Sequence, residues 1–133
     1  RVGSAAHHRL TERGLKVLGI EHDEDRVARL QAQGVSVVLA DATDNTLWRR
    51  LVAVRTLRTV VLAMPFHDAN LAAISVVRAR HFTGTVAAVA RYDDEVTELL
   101  AHGADTVLHV YSGSGLALAD AALDGPDEAR QLP

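Results

Sequence analysis

Short apolar runs alternate with longer amphipathic stretches along almost the whole sequence. Five such runs, rich in Val, Leu, Ile and Ala, occupy residues 17–20, 36–39, 59–63, 85–89 and 106–109. Strands that are apolar at nearly every position are typical of a parallel sheet covered on both faces, and helices form the crossover connections between such strands. The alternation therefore predicts an α/β chain with a doubly wound parallel sheet.

The stretches between the predicted strands are expected to be helices. We place these helices at 4–13, 25–33, 69–80, 94–102 and 115–123. A further short helix is expected after Thr43 or Asp44, with Trp48 in the core. Glycines follow three of the helices at the C′ position, where glycine is favoured: Gly14, Gly34 and Gly103. Since no linker interrupts the series, we expect one domain over 1–123 and a frayed polar tail over 124–133.

Composition and charge exclude several classes of protein. The chain has 133 residues, a formal net charge of −3 and no cysteine. The missing cysteine excludes a disulfide scaffold and a thiolate metal site, and it fits a reducing compartment. The negative charge argues against a nucleic-acid partner, because such domains are usually basic. No apolar run approaches the ~18 residues of a membrane span, and no signal-peptide pattern opens the chain.

The chain is expected to open with a helix, although doubly wound dinucleotide folds begin with a strand. That first strand is absent from the numbered sequence. Gly3, two places after Arg1, then corresponds to the third glycine of a G-x-G-x-x-G fingerprint, beside a helix N-terminus that binds a pyrophosphate. The alternative is an ordinary helix start with a glycine nearby.

Glu21 stands 18 positions after Gly3, at the end of the next predicted strand. A carboxylate at this point of the fingerprint accepts hydrogen bonds from the ribose hydroxyls and repels a 2′-phosphate, so an adenine nucleotide without that phosphate is the predicted ligand. The alternative is a solvated acidic cluster at a helix N-terminus, in which Asp23 and Asp25 are the expected caps.

Asp41, Ala42 and Thr43 follow the next predicted strand. Because ligands bind outside the carboxyl ends of parallel strands, these residues are expected to border the adenine pocket. The alternative, for Thr43 or Asp44, is helix capping.

Seven segments in order resemble one known family. They are RVG at 1–3, GIEHDEDRV at 19–27, ADATD at 40–44, Ala63-Met64-Pro65, ANL at 69–71, AR at 90–91 and GADTV at 103–107. Together they resemble the regulator of potassium conductance, or Trk-type N-terminal nucleotide domain, of potassium channels, Trk uptake systems and Kef-like cation:proton antiporters. The segment 108–118 most resembles the antiporter-associated branch. Two departures are the absent first strand and Ala40, which replaces a common glycine.

The resemblance implies a Rossmann-like regulatory domain rather than an enzyme. Such domains form homodimers or larger assemblies and bind NAD, NADH, AMP, ADP or ATP. They gate a membrane cation channel or transporter from the cytoplasmic side, at the inner face of the cell membrane. The resemblance implies a site built from these residues: Arg1 and Gly3 by the phosphates, Glu21 on the ribose, Asp41, Ala42 and Thr43 around the adenine, Met64 and Pro65 lining the cleft, and Arg91 facing the nucleotide or a neighbouring subunit.

An NAD-dependent oxidoreductase or epimerase is the main alternative, and a phosphorylation receiver is a weaker one. An oxidoreductase would need a proton donor and a substrate domain. The sequence has no Tyr-x-x-x-Lys pair, and its only lysine, Lys16, precedes a strand. We therefore expect no catalytic residue.

Seven histidines raise the question of a metal site. His22, His67 and His109 are expected along one edge of the sheet, but no spacing typical of zinc ligands accompanies them, so we expect no metal site.

The predicted helix over 69–80 carries an unusually large apolar face. We assign part of this face to a partner surface, with packing on the sheet as the alternative; it consists of Leu71, Ile74, Val76 and Val77.

Overall fold

The computed structural model describes residues 2–125, so the predictions for Arg1 and for most of the polar tail lie outside the described residues. The helices are α1 (Val2–Glu12), α2 (Glu24–Ala32), α3 (Asn45–Ala53), α4 (His67–Ala79), α5 (Asp93–His102) and α6 (Val110–Asp124). The strands are β1 (Gly19–Glu21), β2 (Val37–Leu39), β3 (Thr59–Leu62), β4 (Thr85–Ala90) and β5 (Thr106–His109). Helices and strands alternate as expected, and the predicted α/β class is confirmed.

The strands pair in two parallel groups rather than in one continuous sheet. β1 pairs with β2, and β3, β4 and β5 form a three-stranded sheet in that order. In the doubly wound order, the first strand lies between the second and the fourth. Those two correspond to β1 and β3, so the break between the two sheets is the position that the first strand occupies in the doubly wound order.

Helix α1 contacts both sheets, and these contacts show that the strands of the two sheets run in the same direction. A Cβ atom at Gly3 would lie 3.6 Å from the Cβ of Ala63, just beyond the carboxyl end of β3. Further along α1, the His7 Nε2 lies 3.1 Å from the Ser36 carbonyl oxygen, just before β2 begins. The helix therefore runs antiparallel to the strands of both sheets, and its N-terminus lies at their carboxyl edge.

The core lies between the three-stranded sheet and the helices α3, α4 and α5. Ile74 and Val77 of α4 have no exposed surface, and they belong to one buried cluster with Val86 and Leu99. The expectation that the apolar face of α4 meets a partner is therefore wrong for these two residues. Leu71 and Val76 are partly buried against the same cluster, so the alternative, packing on the sheet, is the one observed.

Two further expectations are corrected by exposure and capping. Val38 and Leu39 of β2 are exposed, so this strand is not covered on both faces. Helix α6 begins at Val110 rather than at residue 115. The early start has a physical cause, because the His109 Nδ1 accepts a hydrogen bond from the Ser112 amide at 3.1 Å and so caps the helix.

The opposite, amino edge of the sheet is held by Arg78. Its guanidinium donates to the carbonyl oxygens of Phe82, Gly84 and Gly103 at 2.8–3.0 Å and to the Asp105 carboxylate at 2.8 Å. The same Asp105 oxygen accepts from the Val86 amide, and this bond, followed by Arg78, holds the pKa of Asp105 below its ordinary value against the opposing effect of desolvation. The motif Gly-Ala-Asp at 103–105 thus has a structural role, because its Gly103 carbonyl and Asp105 carboxylate bind the Arg78 guanidinium.

Candidate functional site

Glu21 lies at the carboxyl end of β1, and its side chain is largely sheltered. The Glu21 side chain is 19% exposed; one carboxylate oxygen accepts from the Asp23 amide at 3.1 Å, and the other lies 3.9 Å from the Arg26 Nε. The His22 ring lies 3.4 Å from the first oxygen. Asp23 caps α2 as expected, but Asp25 belongs to the first turn instead of capping it. The acidic cluster therefore divides into a cap, a helical turn and a fixed carboxylate at the strand end.

Asp41 follows the neighbouring strand β2, one residue beyond Ala40, whose amide donates to the Glu21 carbonyl at 3.0 Å. The Asp41 carboxylate accepts from the Thr43 hydroxyl at 2.7 Å and from the Thr43 amide at 2.8 Å. These bonds, in that order, hold the pKa of Asp41 below its ordinary value; desolvation opposes them, and nearby His22 adds to them. Asp41 thus remains a carboxylate within a fixed turn.

The residues after Asp41 divide between this turn and the helix that follows. The Trp48 indole, buried in the core as predicted, donates to the Ala42 carbonyl at 2.6 Å. Asp44 caps α3 through the Thr46 amide. The capping alternative therefore holds for Asp44, whereas Thr43 serves the Asp41 turn.

Gly3 lies inside the first turn of α1, since that helix begins at Val2. Its approach to Ala63 brings the N-terminus of α1 to the carboxyl end of β3. Free backbone amides of a helix N-terminus attract phosphate groups, and a glycine allows close packing of the helix on the neighbouring strand. The first turn of α1 therefore has the placement that the phosphate prediction requires.

Met64 and Pro65 follow β3 and form part of a cleft of about 170 Å³ at the same edge. Arg91, after the neighbouring strand β4, also lines this cleft and is exposed. Its backbone amide donates to the Glu95 carboxylate at 2.9 Å, which fixes the turn into α5. Three predicted site residues thus line one cleft.

Sequence reasoning assigned no function to Asn70, which the structure places at the base of the cleft. Its side chain is 1% exposed, donates to the Met64 carbonyl at 3.1 Å and accepts from the Met64 amide at 3.2 Å. Asn70 belongs to the Ala-Asn-Leu segment on which the family resemblance partly rests. A single amide side chain on the apolar face of a predicted helix was the sequence signal that could have indicated its role. Asn70 positions the loop that lines the cleft.

Histidine, tyrosine and phenylalanine side chains complete the cleft wall. The His67 Nε2 lies 3.5 Å from a Glu98 oxygen, and its Nδ1 is buried without a hydrogen-bond partner. Phe66 and Tyr92 are exposed at the rim. Within residues 2–125, no group of three or more His, Asp or Glu side chains is arranged to hold a metal ion. The arrangement offers polar and aromatic contacts to a ligand.

Helix α6, which begins beside the site, has an unusually apolar surface that no other element of residues 2–125 covers. None of its residues is buried, and Leu116, Leu118 and Leu123 are 69–86% exposed. The Tyr111 ring, in its first turn, makes an edge contact with Tyr92 of the cleft at a centroid distance of 6.1 Å. A helix that is apolar all round is normally covered. Among the helices of residues 2–125, none combines the length and apolar character that a bilayer span needs.

The model of the TrkA-N domain family matches residues 1–110 of this chain. The chain belongs to the TrkA-N domain family. The TrkA-N domain has a Rossmann-like nucleotide-binding fold. The predicted Rossmann-like fold and the predicted family resemblance are both confirmed.

Solved structures agree with this assignment. The TrkA-N domain of the inner membrane protein ybaL from Escherichia coli is 25% identical, with a TM-score of 0.79, and the match covers 90% of this chain and 88% of that one. The NAD(P)-binding domain of an exopolyphosphatase-related protein from Archaeoglobus fulgidus is 23% identical, with a TM-score of 0.81 and the same coverage.

A third structure is the GsuK channel. The form bound to ADP is 20% identical with a TM-score of 0.70, and the match covers 80% of this chain but 28% of GsuK. GsuK has also been solved with NAD. A search of curated proteins finds no match to this sequence.

Proposed function

We propose that this TrkA-N domain senses an adenine nucleotide or NAD(H) and regulates a potassium or other cation channel or a cation:proton antiporter from the cytoplasmic face of the membrane. The observation that carries the proposal is the pair of fixed carboxylates, Glu21 and Asp41, at neighbouring strand ends. The N-terminus of α1 lies at the same edge. One ribose-binding and one adenine-bordering group beside a phosphate-binding helix end suit an adenosine nucleotide.

The ligand class follows from the sheltered position of Glu21. A 2′-phosphate would be placed against the carboxylate of a side chain that is only 19% exposed, so electrostatic repulsion disfavours NADP relative to NAD, AMP, ADP or ATP. GsuK has been solved with ADP and with NAD, which supports the same class of ligand. In this proposal Met64, Pro65 and Arg91 line the part of the cleft beyond the adenosine.

The proposed action is binding without turnover. Lys16, the only lysine of the sequence, lies in the loop before β1, at the edge opposite to the cleft. A bound ligand that is not consumed acts by favouring one conformation over another, and the available free energy is its differential affinity, typically ~1–3 kcal/mol per site. An NAD-dependent oxidoreductase or epimerase, the alternative, would convert a substrate at the cleft.

We further propose that the domain works as a homodimer or larger assembly, formed through α6. Leu116 and Leu118 are exposed on an uncharged stretch of this helix, and burial of such residues is the main driving force of association. The contact between Tyr92 and Tyr111 connects the cleft wall to the first turn of α6. A ligand that moves Tyr92 would therefore shift the subunit contact.

The regulatory proposal is tested by measuring cation flux through the transport protein with which the chain assembles, with and without NAD, NADP, AMP and ATP. Wild-type flux is expected to change with a nucleotide that lacks the 2′-phosphate, and Glu21→Gln is expected to lose that response. Glu24→Gln, an exposed carboxylate of α2, is the matched control and is expected to respond as wild type. Flux that ignores every nucleotide would contradict the proposal.

A further inference from the structure

Charge is divided between the two edges of the sheet. Because the helices run antiparallel to the strands, helix N-termini lie at the carboxyl edge and helix C-termini at the amino edge. Acidic residues occupy first turns: Glu24, Asp25, Asp68, Asp93, Asp94 and Glu95. Basic residues occupy last turns: Arg9, Arg29, Arg50, Arg78 and His102. The helix dipole accounts for this part of the division.

Two loops of the amino edge carry four further exposed cations, which lie outside the helices. Arg13 and Lys16 lie in the loop between α1 and β1, and Arg55 and Arg58 lie in the loop between α3 and β3. All four are exposed, and within residues 2–125 none has a carboxylate within 4.0 Å.

Acidic residues are scarce at this edge, and those present form ion pairs with other residues. Glu12 pairs with His8 and Arg9, and Asp105 pairs with Arg78. The sequence from 45 to 67 contains four arginines and no acidic residue, in a chain whose net charge is −3. The positive charge of the two loops is therefore not neutralised locally.

Aliphatic side chains are exposed in and beside the same loops. Leu15 is 56% exposed and Leu18 47%, and Val54, where α3 ends, is 52% exposed. The loops enter β1 and β3, the strands on either side of the break, which one missing strand would separate by about 10 Å. Both loops lie at the amino ends of their strands, and we call their exposed basic and aliphatic residues the basic edge: Arg13, Leu15, Lys16, Leu18, Val54, Arg55 and Arg58.

We propose that the basic edge binds the anionic phospholipid headgroups of a membrane surface. Arginine and lysine side chains are attracted to an anionic leaflet, and aliphatic side chains between them are accommodated at the headgroup boundary. An acidic protein segment would match the charges but would leave Leu15 and Val54 without an apolar complement. The inference does not depend on the proposed function, because vesicle binding requires no nucleotide.

This contact would fix the orientation of the domain. The cleft with Met64 and Arg91 lies at the opposite edge of the sheet, so a domain bound through its basic edge holds the nucleotide site away from the lipid. The acidic first turns would also point away from the anionic surface.

The test is co-flotation of the purified chain with vesicles of phosphatidylcholine alone or of phosphatidylcholine with phosphatidylglycerol, without nucleotide. Binding is expected only to the anionic vesicles, and it should weaken as salt is raised. Each basic residue near an anionic leaflet strengthens binding about fivefold, so Arg55→Gln/Arg58→Gln is expected to lose about 25-fold in affinity. Val54→Ser is expected to weaken vesicle binding without any change of charge.

The matched control is Ala28→Glu/Thr46→Glu, which lowers the net charge by the same two units at exposed positions of α2 and α3 away from the basic edge. This variant is expected to bind as wild type. Equal losses in the two double variants, or wild-type binding to anionic vesicles no greater than to neutral ones, would overturn the proposal. Binding to polyglutamate but not to anionic vesicles would overturn it in favour of an acidic protein partner.

Discussion

The side-chain amide of Asn70 bonds to both backbone groups of Met64, accepting from its amide at 3.2 Å and donating to its carbonyl at 3.1 Å. Asn70 is otherwise enclosed by the core, with 1% of its surface exposed. One buried side chain thus satisfies two polar groups of the loop that follows β3, and it connects the stability of the core with the shape of the cleft.

Asn70→Ala is expected to lower the free energy of unfolding by about 1–3 kcal/mol, because it leaves the Met64 backbone groups unsatisfied. The measurement is urea unfolding followed by circular dichroism. Asn45→Ala is the matched control: it removes an exposed amide, whose oxygen accepts from Arg80 at 2.8 Å, and is expected to cost much less. Equal losses in the two variants would contradict the assigned role of Asn70.

Gly84→Ala is expected to destabilise the fold, because the new Cβ would overlap the Arg58 carbonyl oxygen and the Phe82 ring. Since one of these atoms belongs to the backbone, relief requires main-chain movement, and the expected loss is about 1–3 kcal/mol or more. Gly113→Ala in α6, where a Cβ meets nothing within 4 Å, is the control and is expected to stabilise the helix. Thermal unfolding of both variants checks the prediction, and a Gly84→Ala melting temperature equal to that of wild type would refute it.

The strand pattern and most helix bounds were predictable from the sequence, because apolar runs and glycines at helix ends are local signals. Predicted and observed bounds agree for β5, and Gly103 ends α5 in the left-handed conformation as expected. The start of α6 was not predictable in the same way, because it depends on a cap supplied by a histidine side chain. Helical periodicity also did not reveal whether the apolar face of α4 packs on the chain's own sheet or meets a partner. The complete burial of Ile74 shows that this face packs on the sheet.

For the site, spacing placed Glu21 and Asp41 at neighbouring strand ends, since parallel strands end at a common edge. The hydrogen bonds that fix each carboxylate depend on turn geometry and were not predictable. Neither was the contact of Tyr92 with Tyr111, because the two residues follow different strands and meet only once the sheet has formed.

Asp105 is expected to make stability sensitive to acid. Its pKa in the folded protein lies below the ordinary value of 3.8, so its contribution is complete above that value and is lost as the pH falls through the lower, folded-state pKa. The difference in free energy of unfolding between wild type and Asp105→Asn should therefore be largest near neutral pH and shrink below about pH 4. Urea titrations at several pH values measure it, with Asp94→Asn, exposed on α5, as the control. A difference that does not vary with pH would contradict this assignment.

Helix α6 is expected to carry the subunit contact. Leu116→Ser/Leu118→Ser should shift the chain towards monomer in sedimentation velocity, because two exposed leucines would no longer be buried between copies. Leu39→Ser, which changes a leucine that is 53% exposed on β2, is the matched control and should leave the distribution unchanged. A wild-type chain that stays monomeric at all concentrations would contradict the proposed assembly.

The central claim, that Glu21 selects an adenine nucleotide without a 2′-phosphate, is tested most directly by calorimetric titration of the protein with NAD and NADP. The wild type is expected to bind NAD more tightly than NADP. Glu21→Gln is expected to lose about tenfold or more of the NAD affinity, since hydrogen bonds to a charged group contribute about 1.5–3 kcal/mol, and Glu24→Gln should bind as wild type. NADP binding as tight as NAD binding, or unchanged NAD affinity in Glu21→Gln, would contradict the account.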